Sequence, residues 1–263
     1  MTAPGTTTAH DEGTRAAAPV LRLDGLGWRV GGATIVQDVT LSVGEGEFLA
    51  FIGPNGAGKT SLFNLISGIV RPTGGTLALD GRDLIALPVH TRARLGIGRT
   101  FQTSSLWPGM TVAEHVRLAA QAGSGGSYRL WRRAARYTAE VAGVLERTGL
   151  GHRAGATAAE LSHGEKRKLE LAVLLVTEPR LMLLDEPMAG VSAEEVPALT
   201  ELIRALHRDE GRTVLMVEHH MDVLLGLADR LAVMHHGRLL ALDTPGAVTA
   251  DPVVQRAYLG ERL

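Results

Sequence analysis

Residues 53–60 have the spacing of a phosphate-binding loop. The segment reads GPNGAGKT and fits the pattern G-x-x-x-x-G-K-[ST], between an apolar run of strand length and a segment with helical spacing. Its glycines let the backbone curve so that successive N–H groups point at an anion. Lys59 is expected to reach the β- and γ-phosphates of a nucleotide, and the Thr60 hydroxyl to bind Mg²⁺. The alternative is an ordinary glycine-rich turn between a strand and a helix. The expected nucleotide contacts in this segment are Gly53, Asn55, Gly56, Gly58, Lys59, Thr60 and Ser61, although Ser61 is also typical of a helix start.

A second signal is an apolar run that ends in two carboxylates. Residues 181–186 read LMLLDE, and ligands of open α/β sheets bind at the carboxyl ends of the strands. Asp185 is therefore expected to hold Mg²⁺, and Glu186 to polarise an attacking water. An acidic pair after a strand is often only a helix cap or a solvated turn. The phosphate-binding loop in the same chain favours the nucleotide interpretation.

A third motif combines a helix start with an anion site. Residues 161–165 read LSHGE, and the basic residues KRK follow. Ser162 is expected to cap a helix that begins near Gly164, so that a hydroxyl, backbone N–H groups and the helix dipole all face an anion. Ser162 and Glu165 also have the spacing of a capping box. The two interpretations are compatible.

The elements that must position these motifs follow from the apolar pattern. Short apolar runs of strand length alternate with segments of helical spacing, which is typical of an α/β fold with a mostly parallel sheet. The chain up to about Gly46 contains strands and turns without helices, which predicts an antiparallel β layer at the N-terminal side. The predicted strands include 21–23, 48–52, 76–79, 180–184, 213–217 and 231–234. The predicted helices are 59–69, 112–122, 129–147, 164–177, 193–208 and 220–227.

Composition limits the function classes. The chain has 27 Lys and Arg against 28 Asp and Glu, a net charge of −1, which disfavours sequence-general nucleic-acid binding. With no Cys, it has no disulfide, thiolate metal site or cysteine nucleophile. Its most apolar run, residues 171–176, is far shorter than the ~18 residues of a membrane-spanning helix. Residues 1–19 lack the apolar stretch of a signal peptide and are expected to form a disordered tail.

Together, these motifs resemble those of ATP-binding cassette (ABC) transporter ATPases. Residues 161–165 are similar to that family's L-S-G-G-Q signature, and residues 189–192 stand at its D-loop position. Gln102 resembles the Q-loop glutamine, which senses Mg²⁺ and water, and His219 resembles the switch histidine, which contacts the γ-phosphate. The resemblance covers residues 20–263 and implies a P-loop NTPase core with a mostly parallel sheet, an N-terminal antiparallel β layer and a helical signature subdomain at about 103–178.

Three further segments narrow the resemblance to the branched-chain amino-acid uptake subfamily, whose close relatives carry urea and short amides. They read RTFQ at 99–102, DEPMAG at 185–190 and RAYLGE at 256–261. The chain departs from the family pattern at His163, Glu165, Ser192 and His220.

A further departure concerns the adenine base. Val30 stands where the family has an adenine-stacking aromatic residue. Trp28, two residues earlier on the same strand face, is the candidate that replaces it.

The resemblance implies an ATP-hydrolysing subunit that uses ATP and Mg²⁺ at the cytoplasmic face of the cell membrane. Its expected partners are an integral-membrane permease, a second ABC ATPase subunit in a homo- or heterodimer, and indirectly a solute-binding protein, with no nucleic acid. The alternatives are an ABC exporter of the lipopolysaccharide type, a soluble ABC ATPase acting on ribosomes or DNA, and a regulatory module without turnover. The implied catalytic residues are Glu186, His219 and Gln102; the implied metal ligands are Thr60, Gln102 and Asp185; Ser162 and Gly164 of a second subunit would complete the nucleotide site.

Overall fold

The computed structural model describes residues 18–100, 106–123 and 130–259, and within these ranges the chain forms ten strands and nine α-helices. The strands are β1 Leu21–Val30, β2 Ala33–Val43, β3 Phe48–Ile52, β4 Gly74–Leu79, β5 Arg82–Asp83, β6 Ile97–Arg99, β7 Leu181–Asp185, β8 Thr213–Val217, β9 Arg230–His235 and β10 Arg238–Asp243. The helices are α1 Lys59–Ser67, α2 Val89–Arg94, α3 Val112–Gly123, α4 Leu130–Arg147, α5 His163–Leu175, α6 Val196–Arg208, α7 Met221–Leu227, α8 Pro245–Ala250 and α9 Pro252–Leu259. Short 3₁₀ helices lie at Gly151–Arg153 and Ala158–Glu160.

Two sheets organise these elements. The larger has the order β10-β9-β3-β8-β7-β6, in which β9, β3, β8, β7 and β6 are parallel and β10 is antiparallel at one edge. The smaller has the order β2-β1-β4-β5 and is antiparallel throughout. The predicted parallel core and N-terminal antiparallel layer are confirmed.

The parallel sheet is buried on both faces. Every residue of β3, β7 and β8 is buried, as expected for parallel strands covered on both sides. Alternate residues of β3 belong to different hydrophobic clusters: Phe48, Ala50 and Ile52 pack in one, Leu49 and Phe51 in the other. This alternation holds the end of β3, where the phosphate-binding loop begins, between two packed layers.

The C-terminal end of α1 is fixed by a buried arginine. The Arg92 guanidinium, 1% exposed, donates hydrogen bonds to the carbonyl oxygens of Leu65 at 2.5 Å, Ile66 at 2.9 Å and Leu87 at 2.9 Å. Leu65 and Ile66 belong to the last turn of α1, whose carbonyls lack the partners that the interior of a helix provides, and the positive charge complements the negative end of the helix dipole.

The structure adjusts several predicted boundaries. Helix α1 ends at Ser67 rather than 69, because Gly68 adopts φ +85° and caps it. Helix α6 begins at Val196 rather than 193, because a turn joins the Glu195 N–H to the Ser192 carbonyl. The elements α2, α8, α9 and β10 were not among the predicted ones.

Helices α3, α4 and α5 lie between β6 and β7 in the chain, where the sequence predicts a helical subdomain. No helix in the three described ranges is long and apolar enough to cross a membrane. The predicted tail falls almost entirely outside the described residues.

Candidate functional site

The phosphate-binding loop joins β3 to α1 in a conformation that requires glycine. Gly53 has φ +150°, Gly56 +79° and Gly58 +98°, values that side chains with a β-carbon rarely adopt. A β-carbon at Gly53 would also collide with the Met234 carbonyl oxygen. The turn after β9 packs on the loop, where the Gly237 N–H donates to the Ala57 carbonyl at 3.0 Å. Its own backbone conformation and the packed turn after β9 therefore hold the loop in its curved form without a bound anion.

Lys59 lies inside the curve of this loop. Its side chain is buried, and its Nζ donates to the carbonyl oxygens of Gly53 at 2.5 Å and Pro54 at 3.0 Å. Burial lowers the pKa of Lys59, while the nearby carboxylates of Glu186 and Asp185 act in the opposite direction. A lysine ammonium has three donors, so two carbonyls leave one for a phosphate oxygen.

The other loop residues lie where the sequence places them. Thr60 and Ser61 are partly exposed in the first turn of α1, and Asn55 is exposed. The N-terminus of α1 carries no side-chain cap within the described residues. Its N–H groups are therefore available to an anion.

Asp185 is the last residue of β7 and is 1% exposed. Its Oδ2 accepts a hydrogen bond from Arg99 Nη2 at 2.8 Å, whereas its Oδ1 is buried and has no partner among the described residues. Burial raises the pKa of Asp185 in spite of the Arg99 contact. Arg99 also binds Asn64 Oδ1 and Ser67 Oγ on α1, at 2.8 and 2.9 Å, and so connects β6, β7 and the helix of the phosphate-binding loop.

Glu186 and His219 meet at the carboxyl ends of the neighbouring strands β7 and β8. Glu186 Oε1 lies 3.2 Å from His219 Nε2, and both side chains are partly exposed. Glu186 adopts φ +49°, a conformation costing about 1–3 kcal/mol for a residue with a β-carbon, of the kind found at functional sites. Its N–H donates to the Val217 carbonyl at 2.9 Å, which holds the strained residue against β8.

The residue before His219 supports this pair. Glu218 is 3% exposed, and its Oε1 accepts the His219 N–H at 3.0 Å and lies 2.7 Å from His220 Nδ1. Its Oε2 accepts the Met188 N–H at 3.2 Å. The buried carboxylate thus joins the segment after β8 to the segment after β7.

Ser162 caps α5 as predicted. Its Oγ accepts the Glu165 N–H at 3.1 Å, and Glu165 Oε2 accepts the Ser162 N–H at 2.9 Å, which completes the capping box. The Ser162 hydroxyl also donates to Glu195 Oε1 at 2.6 Å. Gly164 is buried in the first turn of α5.

Two predicted site residues need separate mention. Gln102 lies outside the described residues, and Trp28 lies on the smaller sheet, away from this cluster. Trp28, on β1, is partly buried, packs against the core and lines a cavity of about 310 Å³ with Thr34 and Gln37; Val30 is 50% exposed.

Sequence reasoning missed Arg99 as a site residue and Glu195 altogether. Arg99 stands in the RTFQ segment, but its contact with Asp185 spans 86 positions. Glu195 contacts Ser162 across 33 positions, and no local pattern signals either contact.

The model of the family described as "ABC transporter" matches residues 36–189. The chain is 41% identical to the high-affinity branched-chain amino acid transport ATP-binding protein LivG of Salmonella typhimurium over 251 residues, which cover 92% of this chain and 98% of that protein. It is 38% identical, with the same coverage, to the high-affinity branched-chain amino acid transport ATP-binding protein BraF of Pseudomonas aeruginosa. A crystal structure of the ADP conformation of MJ1267, an ATP-binding cassette of an ABC transporter, is similar with a TM-score of 0.82 and 29% identity, covering 93% of this chain and 100% of that chain.

Proposed function

The chain belongs to the ABC transporter family, and we propose that it is the ATP-hydrolysing subunit of an importer for branched-chain amino acids or related small polar or amide solutes. Family membership confirms the resemblance of the motifs and makes the chain an ATP-binding ATPase. The observation that carries the proposed solute class is the near full-length similarity to LivG and BraF. Both relatives are named as amino acid transport proteins, so the exporter and the non-transport ATPase have less support.

We propose that ATP binds along the phosphate-binding loop. The free donor of Lys59 and the uncapped N–H groups of α1 would neutralise the phosphates. Ser162 and Gly164 of a second subunit would face the γ-phosphate, so that two subunits, identical or paralogous, complete each site. Asn55, Ser61 and Trp28 remain proposed contacts of the nucleotide.

The residues at the end of β7 fit a divalent cation. The orphaned Asp185 Oδ1 is a buried acceptor that lacks a donor, and such groups in native proteins usually have a partner. We propose that Asp185, the Thr60 hydroxyl and Gln102 hold Mg²⁺, which would supply positive charge to the β- and γ-phosphates when bound. Arg99 leaves Oδ1 available because it occupies only Oδ2.

Hydrolysis in this proposal depends on positioning and electrostatics. Glu186 would polarise a water whose oxygen attacks the γ-phosphorus, while the bond to the ADP oxygen breaks. His219 Nε2, already 3.2 Å from Glu186 Oε1, would orient the carboxylate and contact the γ-phosphate. Lys59 would stabilise the charge that develops on the phosphate oxygens.

We propose that a membrane permease docks at the segment before α3. Trp107 is 57% exposed at the edge of a cavity of about 400 Å³, whose walls include Leu106, Leu118 and Val173. His115 stacks on the Trp107 ring and accepts the Trp107 N–H at Nε2, which holds the aromatic side chain outward. Aromatic anchors of this kind are typical of interface centres. The protein would thereby act at the cytoplasmic face of the membrane, with a solute-binding protein as an indirect partner and no nucleic acid.

The proposal is tested by transport in a reconstituted system. The tagged chain is isolated from membranes with its permease and placed in proteoliposomes, with ATP and Mg²⁺ on the side of the ATPase. The solute-binding protein and radiolabelled leucine are supplied on the opposite side. ATP-dependent leucine uptake is expected for the wild type and not for Glu186→Gln. ATPase activity without uptake of leucine or of small amides would contradict the proposed solute class.

A further inference from the structure

Glu195, between the D-loop position and α6, lies at the N-terminus of the signature helix α5. Its Oε1 accepts the Ser162 hydroxyl at 2.6 Å, and its Oε2 accepts the Ser192 hydroxyl at 3.0 Å. The backbone N–H groups of Gly164 and Ser192 add to the lowering of the pKa of this carboxylate. The carboxylate therefore accepts two hydroxyl hydrogen bonds beside the positive end of a 13-residue helix.

The site is shaped to admit this carboxylate. A β-carbon at Gly164 would stand 2.7 Å from Glu195 Cδ, so glycine at this position leaves room for the carboxylate where it now lies. The hydrogen bond from Ser162, followed by those from Ser192 and the backbone, lowers the pKa of Glu195. The carboxylate is accordingly ionised at neutral pH.

The contact with Glu195 uses the only proton that the Ser162 hydroxyl can donate. A serine hydroxyl has one proton to donate, and here Glu195 receives it. The oxygen of the same hydroxyl accepts the Glu165 N–H. While Glu195 stays in place, Ser162 has no donor left for a phosphate.

Capping of α5 does not need Glu195. The capping box formed by Ser162 and Glu165 satisfies the helix start by itself. Nor does the Glu195 side chain cap α6, at whose N-terminus it stands. Neither α5 nor α6 therefore needs the hydrogen bond between Ser162 and Glu195 to cap its N-terminus.

We propose that Glu195 is an internal competitor for the anion site of the signature: its carboxylate occupies the donors that a nucleotide phosphate from a second subunit would use, and ATP must displace it before two subunits close. This inference rests on the proposed function, in which Ser162 and Gly164 complete a second subunit's ATP site. Displacement frees the Ser162 proton and removes a negative charge from beside the incoming phosphate. The ATP concentration needed for closure is therefore set in part by this residue.

The test measures ATP-driven dimerisation in a Glu186→Gln background, which is expected to bind ATP without hydrolysing it. The compared variants are Glu195→Gln, which keeps the shape and removes the charge, and Glu194→Gln, which removes the neighbouring exposed charge. Analytical ultracentrifugation over an ATP titration gives the midpoint of dimerisation. Glu195→Gln is expected to lower this midpoint at least about fivefold, the effect of one pair of like charges about 4 Å apart in water, whereas Glu194→Gln leaves it within about twofold.

A second variant, Ser192→Ala, keeps the test valid if Glu195→Gln fails to fold. Ser192→Ala removes one hydrogen bond to Glu195 without changing the charge, and it should lower the midpoint by a smaller factor. An unshifted or raised midpoint in folded Glu195→Gln overturns the inference; if Glu195→Gln does not fold, the same result in Ser192→Ala does so.

Binding of a fluorescent ATP analogue to each monomer separates this outcome from a failure of the proposed function. A chain that binds no ATP contradicts the proposed function itself. Equal ATP binding with unshifted dimerisation contradicts only the role of Glu195.

Discussion

Replacing Arg99 with Gln should destabilise the fold strongly at neutral pH and less in acid. The Arg99 and Asp185 side chains are 6% and 1% exposed and lie 2.8 Å apart. Removing one partner of a buried pair typically costs about 3–5 kcal/mol, because the remaining charge is left without compensation. This is a large part of the ~5–15 kcal/mol by which domains are stable.

The pH dependence follows from Asp185. Burial raises its pKa, and Arg99 opposes that rise, so the substitution raises the pKa further. A carboxyl whose folded pKa is raised contributes most at low pH and loses that contribution as the pH rises through the folded pKa. The deficit of Arg99→Gln should therefore shrink as the pH falls through the folded pKa of Asp185, because a protonated Asp185 needs no counter-charge.

Urea unfolding at several pH values measures this deficit. Arg180→Gln is the matched control, because Arg180 pairs with Asp80 at 3.1 Å on the surface, where both side chains are about half exposed. The control should lose at most about 1 kcal/mol. A deficit for Arg99→Gln as small as that of the control, or one that does not shrink as the pH falls, would show that Asp185 does not depend on the Arg99 charge.

Three further predictions concern the nucleotide and docking sites. Lys59→Ala should weaken ATP binding at least tenfold by calorimetry, because it removes a buried phosphate-directed charge; unchanged affinity would remove Lys59 from the site. Trp28→Ala should weaken ATP binding by ~1–3 kcal/mol, by analogy with base stacking on aromatics, and Val30→Ala hardly at all; equal small losses would return Trp28 to a packing role. Trp107→Glu should release the protein from permease-containing membranes in a flotation assay while its melting temperature stays close to that of the wild type, and full retention would exclude this surface from docking.

The motifs could be recognised from the sequence because each depends on short spacings. The phosphate-binding loop, the acidic end of β7 and the Ser162 cap are all set by neighbours within a few positions, and the structure places each between the predicted elements. The parallel core was likewise predictable, because fully buried strands have continuous apolar runs.

The contacts that tune the site were not predictable in this way. Arg99 and Glu195 are charged residues that a surface loop would also tolerate, and only the packed fold brings them to Asp185 and Ser162. Helix boundaries shifted for a related reason. Helix α6 begins at Val196 rather than at 193 because residues 192–195 form a turn. The helical spacing of the apolar residues does not reveal this turn.

The variant Glu186→Gln tests the proposed hydrolysis mechanism most sharply, because Glu186 is the carboxylate proposed to activate water. The amide keeps the shape and loses the charge, so ATP binding should be preserved while hydrolysis, measured as phosphate release with Mg²⁺, falls below about a tenth of the wild-type rate, a barrier increase above ~1.4 kcal/mol. ATP should then accumulate unhydrolysed in a stabilised dimer. Phosphate release above about a tenth of the wild-type rate, with ATP binding intact, would contradict the assignment of Glu186 and with it the proposed mechanism.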